Sequence, residues 1–445
     1  MVYLKRKIGI ILLSVLVPGI IMAQEIKKDT LKLSLQQCID IAFDESPTIK
    51  VAEKEIIRTD YAAKEKMAAL FPNISAGGQY SRSIKKQKLF FMGNSIEIGT
   101  DNSFTGALSA SVPIVSPTLW ASLKMNALDA GLALESARSS KINLLNSVTK
   151  AYYAILLTQD SYQVFEKSYK SAEDNAKIIY NKYKQGTVSE FEWIRADVQL
   201  RNAVTNLVSA ESTINMSKLQ LKMLMGVDML TEIDVIGNLT DFENKVFADA
   251  LKLSDKTLDK NTDLNQFDIR ANQMKQALEV QKTTWLPSLA ASFSYQYMAM
   301  ANDSVKMSNY KWFPTSAAQL QLSIPLFQGG AKHYKAKQLQ VQLSELEDQR
   351  ESLKRSLELQ AITYSDNMIK AIEKLESGKK ALSQAEKGWA ISKKMYEIGT
   401  GTFLDVNSAE LGYIQAGLSY NQSIYDFLSA KADLEKILGN SVINY

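Results

Sequence analysis

Hydrophobic positions in this chain follow two different periods in alternating blocks. Residues 118 to 286 and 326 to 445 contain no proline, which leaves room for very long helices. In the first of these blocks Leu145, Val148, Tyr152, Ile155, Tyr162, Phe165 and Tyr169 recur at steps close to three and four, and Val204, Leu207, Ala210, Ile214, Leu221 and Leu224 continue after Gly186. This heptad-like spacing predicts paired helices. A single helix over 118–183 would be about 100 Å long at 1.5 Å per residue, too long for a compact globule. Gly186 and Gly399 suit the left-handed position that closes a helix, and Ser189 and Thr402 can cap the helix that follows. Each glycine therefore marks the tip of a tight helical hairpin.

Between these blocks the period becomes two. Phe104, Gly106, Leu108, Ala110 and Val112 alternate with Thr105, Ala107, Ser109 and Ser111, and Leu320, Leu322, Ile324 and Leu326 alternate with Gln319, Gln321 and Ser323. Residues 74–83 and 289–300 alternate more loosely. The pattern predicts four strands of roughly ten residues, each with one apolar and one polar face. Shorter helices are expected over 48–71 and 263–285, and residues 84–102 and 301–316 read as polar loops. Phe90, Phe91, Trp312 and Phe313 stand close to the strand ends.

The two halves of the chain repeat one plan. Tyr183, Gly186 and Thr187 recur as Tyr396, Gly399 and Thr400, and the same offset carries Ala196 to Ala409 and Gly226 to Gly439. Pro72 and Pro287, and Pro113 and Pro325, recur at nearly that spacing. A repeat of this length means one structural plan built twice. The division expected is a signal peptide over 1–23, a first repeat over 24–258 and a second over 259–445. The first holds a half-helix, a strand pair over 74–112, a helical hairpin over 118–225 and a linker over 227–258; the second holds a half-helix, a strand pair over 289–326 and a hairpin over 330–438.

Lys5, Arg6 and Lys7, the apolar run from Ile8 to Met22 and then Ala23 have the parts of a secretory signal, with Gln24 as the expected mature start. Its removal takes the 52 basic residues to 49 against 48 acidic ones, so nothing suggests a nucleic-acid partner. Cys38, the only cysteine, offers no disulfide framework and no lipid-accepting position at the new terminus.

No other stretch is apolar enough for a transmembrane helix, and a barrel remains open. Four strands cannot close a barrel alone, and an open sheet edge cannot sit in hydrocarbon. A membrane reading therefore requires oligomerisation. The alternative, a soluble periplasmic coiled-coil scaffold, would need a helix layer over the apolar strand faces. Aromatic residues at the strand ends fit a barrel anchored at its interfaces, although they could also pack a loop.

Enzyme chemistry has little to build on. His333 is the only histidine and has no cysteine partner, so no metal site is expected. Gly329 and Gly330 lack the Gly-Lys-Ser/Thr ending of a phosphate loop and fit a strand-to-helix junction. Lys85, Lys86 and Lys88 read as solvated surface, able if extracellular to touch anionic sugars. No carboxylates pair in a way that suggests a catalytic site, and no cofactor is expected.

Several motifs come in a specific order: Leu33 through Ala42 followed by Ser46 and Pro47; Phe71 with Pro72 and Leu286 with Pro287; Val112 with Pro113 and Ile324 with Pro325; Leu326 to Gly330; and the two Gly-Thr tips. On these motifs the mature chain resembles the TolC-like outer-membrane efflux proteins. The resemblance implies a mainly α fold with a small membrane β-barrel. In it four strands per protomer complete a trimeric twelve-stranded barrel in outer-membrane lipid, and long hairpins form a periplasmic tunnel. It further implies a homotrimer whose tips, at Gly186, Thr187, Gly399 and Thr400, dock a periplasmic adaptor and through it an inner-membrane transporter. Leu108 and Leu322 would then face lipid, and Ser109 and Gln321 water.

In the family, acidic residues six positions past each tip glycine charge the closed entrance. Here those positions are Glu192 and Asp405, and the family's tyrosine three residues before the second glycine is Tyr396. The arginine that some members place two residues after that glycine is Gly401. Ser189 with Glu192, and Thr402 with Asp405, also have the spacing of a capping box, which gives each acid a local task at a helix start.

Overall fold

The computed structural model describes residues 31–91, 93–243 and 257–439. The expected signal peptide and the linker residues 244–256 lie outside the described residues. The described elements, in order, are β1 (Leu31–Leu33), α1 (Leu35–Glu45), α2 (Pro47–Ala68), β2 (Asn73–Arg82), β3 (Gln87–Phe91), β4 (Asn94–Ile98), β5 (Asn102–Val115), α3 (Pro117–Leu123), α4 (Met125–Lys184), α5 (Glu190–Met225), β6 (Ile233–Val235), α6 (Thr262–Thr283), β7 (Ser288–Ala301), β8 (Trp312–Ser323), α7 (Ala331–Glu397) and α8 (Phe403–Leu438).

Each half is one long helix flanked by two short ones stacked end to end. Helix α4 has 60 residues, and beside it lie α5 with 36 and α2 with 22. Helix α7 has 67, and beside it lie α8 with 36 and α6 with 22. At 1.5 Å per residue the long helices reach about 90 to 100 Å. Where the short helices meet, Gly226 closes α5 at φ 72° against Glu45 and Ser46, and Gly439 closes α8 at φ 66° against Lys260. Asn261 caps α6, accepting from the N–H groups of Asp263 and Leu264, and its own amide donates to the Ile437 carbonyl at 2.7 Å. The main core lies at this junction and includes Cys38, Val148, Ile155, Leu221, Ile424 and Phe427. β1 and β6 pair in parallel here, so the expected linker contributes Ile233, Val235 and Leu239 to the core instead of merely connecting.

At one end of the long helices, β2, β5, β7 and β8 form an antiparallel sheet in the order β2-β5-β7-β8. Register settles which residues share a face: Leu108 is opposite Ala76 and Tyr295, Tyr295 is opposite Ser316, and Leu289 is opposite Leu322. One face thus carries Ile74, Leu108, Phe293, Tyr295, Leu320 and Leu322. The other carries Ser75, Ser109, Ser292, Ser294, Gln319 and Gln321. From Trp312 to Leu322 the apolar face runs ten residues, about 34 Å along the strand. A tilt of about 40° reduces this to roughly 26 Å, the height of the apolar band of an outer-membrane barrel.

The strand and loop boundaries differ from those expected in three places. β8 starts at Trp312 and stops at Ser323, so Ile324 and Leu326 lie beyond it; Pro325 has no N–H to continue a ladder. Pro314, the third residue of β8, lies on the strand that forms the sheet edge of the protomer. The 84–102 segment is not a plain loop but contains the hairpin β3–β4, with Leu89 opposite Ile96. Its sequence signal was Gly93, at φ 81°, followed by Asn94 between alternating apolar residues. Towards the tip, the buried stripe of α4 is Val164, Ser168, Ala172 and Ile179, and not Tyr162, Phe165 and Tyr169, which stay partly exposed. Small residues there let the helices approach closely.

Candidate functional site at the helical tips

Both hairpins close in the same way. Gly186 and Gly399 adopt φ of 72° and 78°. Thr187 donates its N–H to the Lys182 carbonyl at 2.9 Å and its hydroxyl to the same oxygen at 2.9 Å. Thr400 does the same to Met395, at 2.9 and 3.2 Å. The threonines thus bond the helix carbonyls that would otherwise lack partners. Gly401 adds a third bond to the Met395 carbonyl at 3.0 Å. A β-carbon at Gly401 would come within 3.0 Å of the Met395 β-carbon and 3.3 Å of the Tyr396 nitrogen. A side chain at this position would require Met395 and its neighbours to give by a few tenths of an ångström.

Asp405 and Thr402 form a complete capping box. Asp405 Oδ2 accepts from the Thr402 N–H at 2.9 Å and from its hydroxyl at 2.6 Å, while the Asp405 N–H donates to Thr402 Oγ1 at 3.2 Å. Bonds from the Thr402 hydroxyl and N–H lower the Asp405 pKa below its ordinary value, so this exposed carboxylate stays ionised. In α5 the Glu192 N–H donates to Ser189 Oγ at 3.3 Å. The reciprocal box therefore forms only at Asp405, where it leaves the carboxylate exposed at the tip, while at the start of α5 only the Ser189 half of the box is present.

Tyr396 joins the two hairpins. Its ring packs edge-on to Phe403 at 6.0 Å, with Lys182 Nζ 5.1 Å from its centroid. Burial, and then the charge of Glu192, raise its pKa. Phe403 packs in turn with Ile179 and Ala196 of the first hairpin. Tyr396, Glu192 and Phe403 thus belong to one contact zone, whereas Asp405 is fixed by its own helix start. Around the tips Phe191, Ile194, Ile398 and Leu404 are exposed, a feature that sequence reasoning missed.

At the other end, Leu108 and Leu322 lie on the apolar sheet face and are 47% and 61% exposed, with no helix among the described residues covering them. The outer end of that face holds an aromatic group of Tyr80, Phe104, Tyr297, Tyr310 and Trp312, including a stacked Tyr297–Trp312 pair at 5.7 Å. Phe313 points to the opposite face, so of the neighbouring pair only Trp312 joins this group. His333 is exposed, with its ring edge-on to Tyr334.

Comparisons with known proteins agree with this geometry. The sequence profile described as "Outer membrane efflux protein" matches residues 38–227 and 253–440. Outer membrane protein TolC of Vibrio cholerae is 20% identical over 85% of this chain and 84% of its own length. Alkaline protease secretion protein AprF of Pseudomonas aeruginosa is 21% identical over 94% of this chain and 89% of its own. Among solved structures, the Campylobacter jejuni CmeC outer membrane channel superposes with a TM-score of 0.71 at 15% identity, covering 91% of this chain and 85% of that one.

Proposed function

We propose that this chain, which belongs to the outer membrane efflux protein family, works as a homotrimeric conduit that takes in cargo at its helical tips and releases it through a twelve-stranded barrel. It is an outer-membrane efflux channel whose helices extend into the periplasm. The observation that carries closure by several copies is the sheet: among the described residues its apolar face is uncovered, and its edge strands β2 and β8 pair with nothing further. Neither feature suits a soluble scaffold. Because the protomer contributes four antiparallel strands, β2 of one copy meets β8 of the next in antiparallel orientation. Closure by three copies therefore leaves no edge in the hydrocarbon.

In this assembly Leu108 and Leu322 face lipid, and Ser109 and Gln321 line water. A lumen of serine and glutamine side chains holds cargo weakly, as passage requires. The cargo is of the small-molecule or the secreted-protein class; one relative is named for the secretion of alkaline protease. The family's function is transport, and the chain serves as a conduit without catalysis of its own.

The tips dock a periplasmic adaptor, and through it an inner-membrane transporter. The exposed Phe191, Ile194, Ile398 and Leu404 offer apolar contacts around the turns at Gly186, Thr187, Gly399 and Thr400. Behind them Asp405, Glu192 and Tyr396 form the entrance, where three-fold symmetry makes a ring of Asp405 carboxylates. Gly186→Val and Gly399→Val test the docking surface, since both positions have positive φ with open space around them and the strain stays within the turn. Adaptor capture should fall in both variants while the oligomer remains intact. Undiminished capture by both would place the contact elsewhere.

A further inference from the structure

Glu410 is buried to 1% exposure at the centre of the hairpin-to-hairpin contact. It occupies a core position in the α8 series Phe403, Val406, Glu410, Tyr413, Gly417 and Tyr420, all of them buried. Every long helix near the tip sends a group towards it. Ser168 of α4 donates its hydroxyl to Glu410 Oε1, Gln199 of α5 hydrogen-bonds the carboxylate, and Lys393 of α7 adds the nearest positive charge. Lys393 itself donates to Ser171 Oγ at 3.0 Å. The next charged pair, Lys167 and Glu386, is joined to itself, with Lys167 over the Tyr413 ring at 5.0 Å.

The surrounding layer is thin. Apart from the junction core far above, the described residues of the tip region form two small apolar clusters, Val164, Trp389, Val406 and Tyr413, and Ile179, Ala196 and Phe403. Trp389 Nε1, Asn407 Oδ1 and the Tyr396 hydroxyl are buried in the same region without a hydrogen-bond partner among the described residues. Parting the hairpins here costs little apolar burial and hydrates polar atoms, so this is the layer most easily opened. All these contacts lie within one chain.

We propose that Glu410 is a proton-operated latch between the two hairpins: neutral, it holds the periplasmic end closed, and ionised, it favours the parting that admits cargo. The latch deepens the channel reading given above and rests on it. Burial raises the Glu410 pKa in the closed state, by more than the bonds from Ser168 and Gln199 and the charge of Lys393 lower it. Once the hairpins part, water reaches the carboxyl and its proton affinity falls towards that of an ordinary glutamate. A proton therefore binds the closed state more tightly. Opening is favoured as pH rises through the closed-state pKa and is lost as pH falls below it. The open-to-closed ratio changes about tenfold for each unit by which the two pKa values differ.

The test is single-channel recording in planar bilayers with the full-length protein, stepping the periplasmic-side pH from about 8 to about 4, a range that spans ordinary and raised carboxyl values. Wild type should close progressively on acidification. Glu410→Gln, fixed in a neutral form, should lose this component and stay at the low open probability of acidified wild type. Ser168→Ala removes a bond to the ionised carboxylate and should move the transition to higher pH. An unchanged pH profile in Glu410→Gln, or an unmoved transition in Ser168→Ala, would overturn the latch, and equal unitary conductance in these variants would leave the channel reading standing. A wild type that inserts but never conducts would overturn both.

Discussion

A β-carbon on Gly439 would stand 2.2 Å from the carbonyl oxygen of Lys260, so the end of α8 meets the approach to α6 with no space for a side chain. The first half repeats the contact, with Gly226 placed 2.6 Å from the Glu45 carbonyl oxygen by the same measure. These two contacts stack a 36-residue helix on a 22-residue helix in each half. The stack continues a line of helix from the membrane end to the tip. A tunnel wall requires this continuity, because no single short helix spans that length.

Alanine at Gly439 or Gly226 should therefore destabilise the protein by more than about 1 to 2 kcal/mol, the cost of a left-handed residue with a side chain, since the backbone clash adds to it. Gly388 is the control: it lies within α7 with open space where a β-carbon would go. Gly388→Ala should be neutral or stabilising by about 0.5 to 1 kcal/mol. Thermal unfolding of the three purified variants distinguishes the two classes; equal shifts would show that the stacked ends are not under tight constraint.

Arginine substitutions in the sheet should depend on both face and depth. Leu108 lies at the middle of β5, whereas Leu322 is the second-last residue of β8, next to the helical end. Leu108→Arg should cost roughly 2 to 4 kcal/mol, as at a bilayer midplane, and Leu322→Arg roughly 0 to 1 kcal/mol, as near an interface. Ser109→Arg and Gln321→Arg on the polar face should cost less than Leu108→Arg. Folding into lipid vesicles across a urea series measures this, and equal tolerance at Leu108 and Ser109 would contradict the assignment of a lipid face and a water face.

At the tip, capping and entrance roles separate by residue. Thr402→Ala removes the cap and should cost about 1 kcal/mol of helix stability while keeping the Asp405 charge. Asp405→Asn keeps a capping side chain but removes one charge per protomer from the proposed entrance, so cation preference and block by trivalent cations should both weaken. Because Thr402 lowers the Asp405 pKa, the capping contribution is fully present above the ordinary carboxyl range and disappears only as pH falls through the lowered value. Bilayer recordings that show unchanged selectivity and block in Asp405→Asn would leave Asp405 with capping alone.

The hairpin tips were legible because their turns need glycine at positive φ, a requirement visible in Gly186 and Gly399 themselves. The sheet faces were legible because a period of two leaves Leu108 and Ser109 no other arrangement. Helix periodicity was less decisive near the tips. Tyr162, Phe165 and Tyr169 form a plausible stripe, but closest approach there selects Ser168, Ala172 and Gly417, whose β-carbon would press on Val164 at 3.0 Å. Glu410 went unnoticed as a charged residue in a helix, although its place between Val406 and Tyr413 in a three-four series marks it as buried. The end of β8 depended on Pro325, whose missing N–H outweighed the continuing alternation of Ile324 and Leu326.

The mass of the detergent-solubilised particle, measured by light scattering on a preparation that also conducts in bilayers, tests the closed barrel most directly. Three chains per particle is the expected result, because each chain leaves β2 and β8 open and the proposed twelve-stranded barrel takes four strands from each of three chains. One or two chains per conducting particle would contradict it.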